Sequence, residues 1–150
     1  MEVPEYRDYK FVSVVEKKIK SKIRRAKLQG NREQLTDNFY RDEFACKCGC
    51  GQADISKDLV SLLQDVRDEF GFPLKITSAV RCEVHNSSDA VKGSKTSAHL
   101  AGYAADIYCD DVHLRYRLLP ILFSRFKRIG VYDNFFHVDV DTSKPNPVCW

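Results

Sequence analysis

His99 and Asp106 lie in the run Ser97-Ala98-His99-Leu100-Ala101-Gly102-Tyr103-Ala104-Ala105-Asp106, which reads S-x-H-x-x-G-x-A-x-D. A neutral imidazole and a carboxylate make a mixed N/O donor set of the kind that suits zinc. Gly102 would let the chain reverse between them, because glycine accepts backbone angles that other residues resist. Beyond the turn, Ala104 to Ile107 reads as a short strand on which Ala104 and Asp106 share a face. Small neighbours there leave room for a metal and a substrate.

A third donor should come from another strand, and Phe135-Phe136-His137-Val138-Asp139-Val140 offers it. His137 and Asp139 share one face of that strand, and Phe136 and Val138 take the other. His99, Asp106 and His137 are then the predicted ligands of one Zn2+. Three protein ligands leave a position open for a water, whose pKa the metal lowers to about 7. Hydrolysis also needs a proton acceptor and a group that stabilises the oxyanion. Asp139 is the first candidate base; its alternative role is to hold a ligand histidine in one tautomer. Asp133, in the turn before the strand, is the second candidate. Arg81 would bind a substrate carboxylate or the oxyanion, and His85 of the same loop would line the cleft. His113, in the first turn of a helix, reads as structural.

These residues converge only if the surrounding elements bring them together. Ser56 caps a helix that places Leu59, Leu62, Leu63, Val66 and Phe70 on one face and stops at Gly71. Leu74 to Ser78 alternates like a half-buried strand. Residues 80–96 read as a long polar loop of the kind that carries function. Asp110 or Asp111 caps a helix running to about Arg128, which Pro120 would kink. Two short strands follow, Ile129 to Tyr132 and Phe135 to Val140, joined by a turn at Asp133-Asn134. The order predicts an α+β domain, a small antiparallel sheet with flanking helices. The aromatics of Asn38 to Phe44 should plug into its core.

Residues 1–33 read as a separate basic helical extension and residues 34–150 as the domain proper. From Tyr9 to about Gln29, Phe11, Val12, Val15, Ile19 and Ile23 recur at helical steps, with lysines and arginines on the other faces. The favoured role is a solvated helix docked by its apolar stripe; contact with an anionic surface is the alternative.

The net charge of +3 sets no demand for a nucleic-acid partner. No run is long and apolar enough to span a membrane, and the N-terminus lacks the order of a signal peptide. Synthesis in the cytoplasm is therefore expected, with release by other means if the protein acts outside. A monomer is the default expectation. Six cysteines occupy positions 46, 48, 50, 82, 109 and 149. Without an export signal, reduced thiols are expected. Cys46-Lys47-Cys48-Gly49-Cys50 lacks the C-x-x-C spacing of a zinc knuckle. Ordinary thiols in a tight turn rank ahead of a structural metal site or a disulfide to Cys82 or Cys149.

Taken together, Ser78-Ala79-Val80-Arg81-Cys82, His85-Asn86, Ser97 through Ile107 and Phe136-His137-Val138-Asp139 resemble the zinc D-alanyl-D-alanine carboxypeptidase and murein endopeptidase family. The likeness is to its phage and bacterial branch, whose usual opening is similar to Asn38 to Gly51, and it covers roughly Leu35 to Val140. It implies the fold shared with hedgehog and lysostaphin-type domains. It also implies zinc on His99, Asp106 and His137, and puts the family's motif arginine and serine at Arg81 and Ser97. The substrate would be the peptide part of peptidoglycan, as in a phage lysis enzyme acting on the cell wall. Many members carry an acid three residues before the last ligand. Here Asn134 holds that position, Asp133 lies one residue further back, and the H-x-D of this branch points to Asp139. A domain that keeps zinc and binds wall fragments without cutting them is the alternative.

Overall fold

The computed structural model describes residues 32–150, so the predicted basic helix of Tyr9 to Gln29 lies outside the described residues. Helix α1 spans Lys57–Phe70. Ser56 accepts a hydrogen bond from the Leu59 N–H at its start, and Gly71 takes the left-handed conformation at its end. Of the predicted stripe, Leu59, Leu63, Val66 and Phe70 are buried and Leu62 is partly so, while Val60, outside the predicted stripe, is buried as well. Strand β1, Lys75–Ser78, follows.

The segment read as a long loop contains a short helix, α2, Glu83–Ser87, capped by the Cys82 sulfur, which accepts from the His85 N–H. A cysteine cap gives a weaker sequence signal than Ser, Thr, Asp or Asn, so the helix escaped the periodicity reading. A 3-10 turn over Ala98–Ala101 leads into strand β2, Ala104–Tyr108. Helix α3 spans Val112–Arg125 and is capped by Asp111, whose Oδ1 accepts from the His113 and Leu114 N–H groups. Pro120 is accommodated inside α3, which ends three residues before the predicted Arg128. Arg128 instead opens strand β3, Arg128–Val131, and β4 is Phe135–Asp139.

The sheet is mixed rather than antiparallel. Its strand order is β1-β2-β4-β3-β5. The first three pairings are antiparallel, but β5, Val148–Cys149, adds parallel to β3. Two residues in a proline-bearing tail carry no period-2 signal, which is why this strand was not anticipated.

One face of the sheet is apolar. Ala105, Ile107, Ile129, Phe136 and Val138 are all buried and pack with Leu63, Val66, Leu118 and Leu122 of the two long helices. Phe39 and Phe44 close the same core, as expected of that segment's aromatics, while Tyr40 stays half-buried against Arg32. The opposite face holds Asp106, His137 and Asp139, because side chains alternate along strands.

Leu63 has no exposure, so Leu63→Ala should lower the unfolding free energy by about 2–5 kcal/mol. Tyr116→Ala, on the solvent side of α3, should change it by less than about 0.5 kcal/mol. Urea denaturation of both variants checks this.

Candidate metal centre

The register of the sheet assembles the site. Asp106 on β2 stands directly opposite His137 on β4, and Ala104 stands opposite Asp139. Directly opposed residues bring their side chains side by side on one face. On the other flank of β4, Arg128 is opposite Asp139 and Gly130 opposite His137. His99 arrives from the 3-10 turn, where the Ser97 hydroxyl accepts from the His99 N–H at 3.4 Å.

Gly102 ends that turn at φ 71°. A Cβ there would stand 2.0 Å from the Asp54 carbonyl oxygen, so both the backbone angle and the close approach require glycine. The predicted reversal is present, together with a packing constraint that spacing did not reveal.

His99, Asp106 and His137 each present a donor atom within 4.8 Å of the others, a group that could hold a metal ion. The hydrogen bonds fix which atoms these are. The Ala79 carbonyl can only accept, so His99 Nδ1–H donates to it at 2.6 Å, and Nε2 keeps its lone pair. Nε2 lies 3.3 Å from Asp106 Oδ1. His137 Nε2 lies 2.8 Å from Asp139 Oδ2, and Nδ1 lies 3.0 Å from Asp106 Oδ1. With the proton on Nε2 and shared with Asp139, Nδ1 is the nitrogen left to ligate. Two imidazole nitrogens and one carboxylate oxygen, held in a largely buried pocket, fit a borderline-soft divalent cation.

Charge is closely managed here. Burial would raise the Asp106 carboxyl, but hydrogen bonds with His137 and His99 outweigh it and hold the group well below the ordinary range. Burial opposes the charged form of His137 too. Its hydrogen bonds to Asp106 and Asp139 more than offset this and raise its pKa. Asp139 is lowered despite burial, through His137, the Asp141 N–H and the Arg128 charge. Arg81 Nη2 reaches Asp106 Oδ2 at 3.2 Å and its Nε donates to Ser78 Oγ, so one arginine braces the outer oxygen of a candidate ligand.

The donors open into a cleft of about 300 Å³ that Arg81, Ser97, Arg128, Tyr132, Lys144 and Trp150 also line. Sequence reading missed Arg128, Lys144, Tyr132 and Trp150. Arg128 was the findable one, because a strand starting one residue earlier puts it opposite Asp139. The indole of Trp150 lies 5.4 Å from the His137 ring and donates to the Tyr132 hydroxyl.

Two expectations need correction. His85 does not line the cleft; it sits on α2, with its backbone N–H on the Cys82 sulfur. Asp139 is not placed as a free base. Its Oδ2 is taken by His137 and its Oδ1 by Arg128 Nε at 2.8 Å and the Asp141 N–H at 3.1 Å. Both oxygens are engaged and the residue is 3% exposed, which matches the tautomer-holding role instead. Asp133 is exposed in the turn between Tyr132 and Phe135 and, like His85, is not among the residues that line the cleft.

A family model described as Peptidase M15 matches residues 37–140. No curated protein matches the chain.

Asp139→Asn removes the charge that orients His137 and should weaken metal affinity about 10–100-fold; isothermal titration with Zn2+ checks it. Metal binding requires neutral His137, whose pKa is raised above 6.5. Affinity should therefore fall by about tenfold per pH unit below that raised value. In the metal-free protein the sign reverses. The His137 imidazolium contributes stability that is fully present below its unfolded pKa and is lost as pH rises through the folded one. Metal titrations and thermal melts across pH read the two trends separately.

Proposed function

Because the chain belongs to the peptidase M15 family, we propose that it is a zinc-dependent hydrolase of the peptide part of bacterial peptidoglycan. The D,D-carboxypeptidase and murein endopeptidase activities are the two forms this would take. The observation that carries the reading is the convergence of His99, Asp106 and His137 in a cleft that also presents three cationic side chains. When bound to those donors, zinc supplies a Lewis acid that activates water and polarises a peptide carbonyl.

The chain's own residues do the rest. His99 is held through Nδ1 by the Ala79 carbonyl, and Asp106 is braced by Arg81, so neither donor has to reorganise. Asp139 keeps the His137 proton on Nε2 and acts through His137 rather than on substrate. Within the cleft Arg81 and Arg128 offset the charges of Asp106 and Asp139, and Lys144 adds a third cation at the rim that would draw the carboxylates which wall peptides carry. Asp133, exposed on the turn between Tyr132 and Phe135, is the candidate left to accept the proton released as water attacks. Action at the cell wall would follow release from the cytoplasm, as in phage lysis. The family match supports a peptide substrate; the wall, the phage context and a monomeric state are part of this reading.

Digestion of defined muropeptides, with products identified by mass, tests it. Hydrolysis should stop on chelation, return with Zn2+, and fall at least about 10³-fold in His137→Ala. Activity that survives both treatments overturns the reading, and binding of wall fragments without turnover selects a non-catalytic wall-binding domain. Asp133→Asn should lower kcat by about 10²-fold or more at unchanged metal content. An unchanged kcat removes Asp133 from the mechanism.

A further inference from the structure

The cysteine run did not stay an ordinary turn. Cys46, Cys48 and Cys50 meet Cys82, and one sulfur from each lies within 4.8 Å of all the others. The sulfur–sulfur separations are 3.4 Å for Cys46–Cys48, 3.8 Å for Cys46–Cys82 and 3.6 Å for Cys48–Cys82. A disulfide requires about 2.05 Å, and all six cysteines are free. Four sulfurs placed about 2.3 Å from a central ion stand about 3.8 Å apart at the edges of their tetrahedron. The separations among Cys46, Cys48 and Cys82 come close to that value, and a Cys50 sulfur within 4.8 Å of each completes the outline of a tetrathiolate cage.

The backbone is shaped to make it. Gly49 and Gly51 have φ of 83° and 87°, and a Cβ on either would meet nothing within 4 Å. Glycine is required there by the turn and not by crowding. The loop closes on itself: the Cys46 N–H donates to the Gln52 carbonyl at 2.7 Å and the Gly49 N–H to the Cys46 carbonyl at 3.3 Å. Backbone N–H groups also point at sulfur. The Cys82 N–H lies 3.4 Å from Cys46 Sγ, and the His85 N–H lies 3.3 Å from Cys82 Sγ. Such donors stabilise negative charge on the sulfur they face.

We propose that Cys46, Cys48, Cys50 and Cys82 bind a second, structural zinc ion, separate from the His99, Asp106 and His137 site. Binding exchanges four S–H protons for four sulfur–zinc bonds and releases the protons to solvent. A closed four-sulfur shell leaves no position for water, so this ion is structural. Its place explains its use. Cys82 follows Arg81, whose N–H donates to the His99 carbonyl and whose guanidinium holds Asp106. The ion would rivet the opening segment, through Cys46, to the stretch that aims Arg81.

The test uses the full chain, purified under reducing conditions and analysed for zinc per polypeptide. Two zinc ions are expected in the unchanged protein and one in His137→Ala. One is also expected in Cys50→Ser, where an exposed side chain is altered, and two in Cys149→Ser. Replacing zinc by Co2+ gives a reading that needs no variant. Thiolate-to-cobalt charge-transfer absorption should be present, persist in His137→Ala and be lost in Cys50→Ser. A metal-free His137→Ala protein, absence of the charge-transfer band, or a disulfide among these four cysteines in the native protein would each overturn the proposal. None of these readings depends on peptidase activity, so this inference and the proposed function stand or fall separately.

Discussion

The pairing of Asp106 with His137 across β2 and β4 is the constraint on which the rest of the site depends. A strand has a side-chain period of two, so a slip of one residue would turn Asp106, His137 and Asp139 into the core and bring Phe136 and Val138 out. The apolar face holds the register. Ala105, Ile107, Phe136 and Val138 are all essentially unexposed beneath α1 and α3. The chemistry of one face is thus indexed by the hydrophobic burial of the other.

Within that frame the charges are arranged as a connected set. Arg81 holds Asp106, Asp106 faces His99 and His137, His137 faces Asp139, and Asp139 is held by Arg128. Buried ion pairs add little net stability, because desolvation offsets much of their attraction. What such a set contributes is geometry: each donor is oriented before anything binds, and removing one member leaves its neighbour buried and unpaired.

The sequence was most legible where a local rule acts alone. The Ser56 cap, the Leu59 to Phe70 stripe and the alternation of Phe135 to Asp139 each reappear in the structure. The three donors were readable as candidates, and their convergence followed once strands and family likeness were combined. What stayed hidden depends on partners far along the chain. Which oxygen of Asp139 is engaged is decided by Arg128 and by a backbone N–H, neither visible in an H-x-D motif. A structural metal site on the cysteine run ranked behind ordinary thiols because the fourth sulfur lies 36 residues beyond the first and the C-x-C-x-C run lacks zinc-knuckle spacing. Strand β5 and helix α2 were too short to show a period.

The sheet face that carries the donors is also notable for what it lacks. Asp139 faces Ala104 on one flank and His137 faces Gly130 on the other, and the room left at Gly130 is taken by the rings of Tyr132 and Trp150, which a Cβ there would meet at 2.8 and 3.0 Å. Strand positions without bulk thus seat the aromatic wall of the cleft close to the donors. A wall seated in that way is fixed by the hydrogen-bonded ladder beneath it. Adaptation to a different substrate would then fall to the rim, at the turn between Tyr132 and Phe135 and at Lys144, which carry none of the donors.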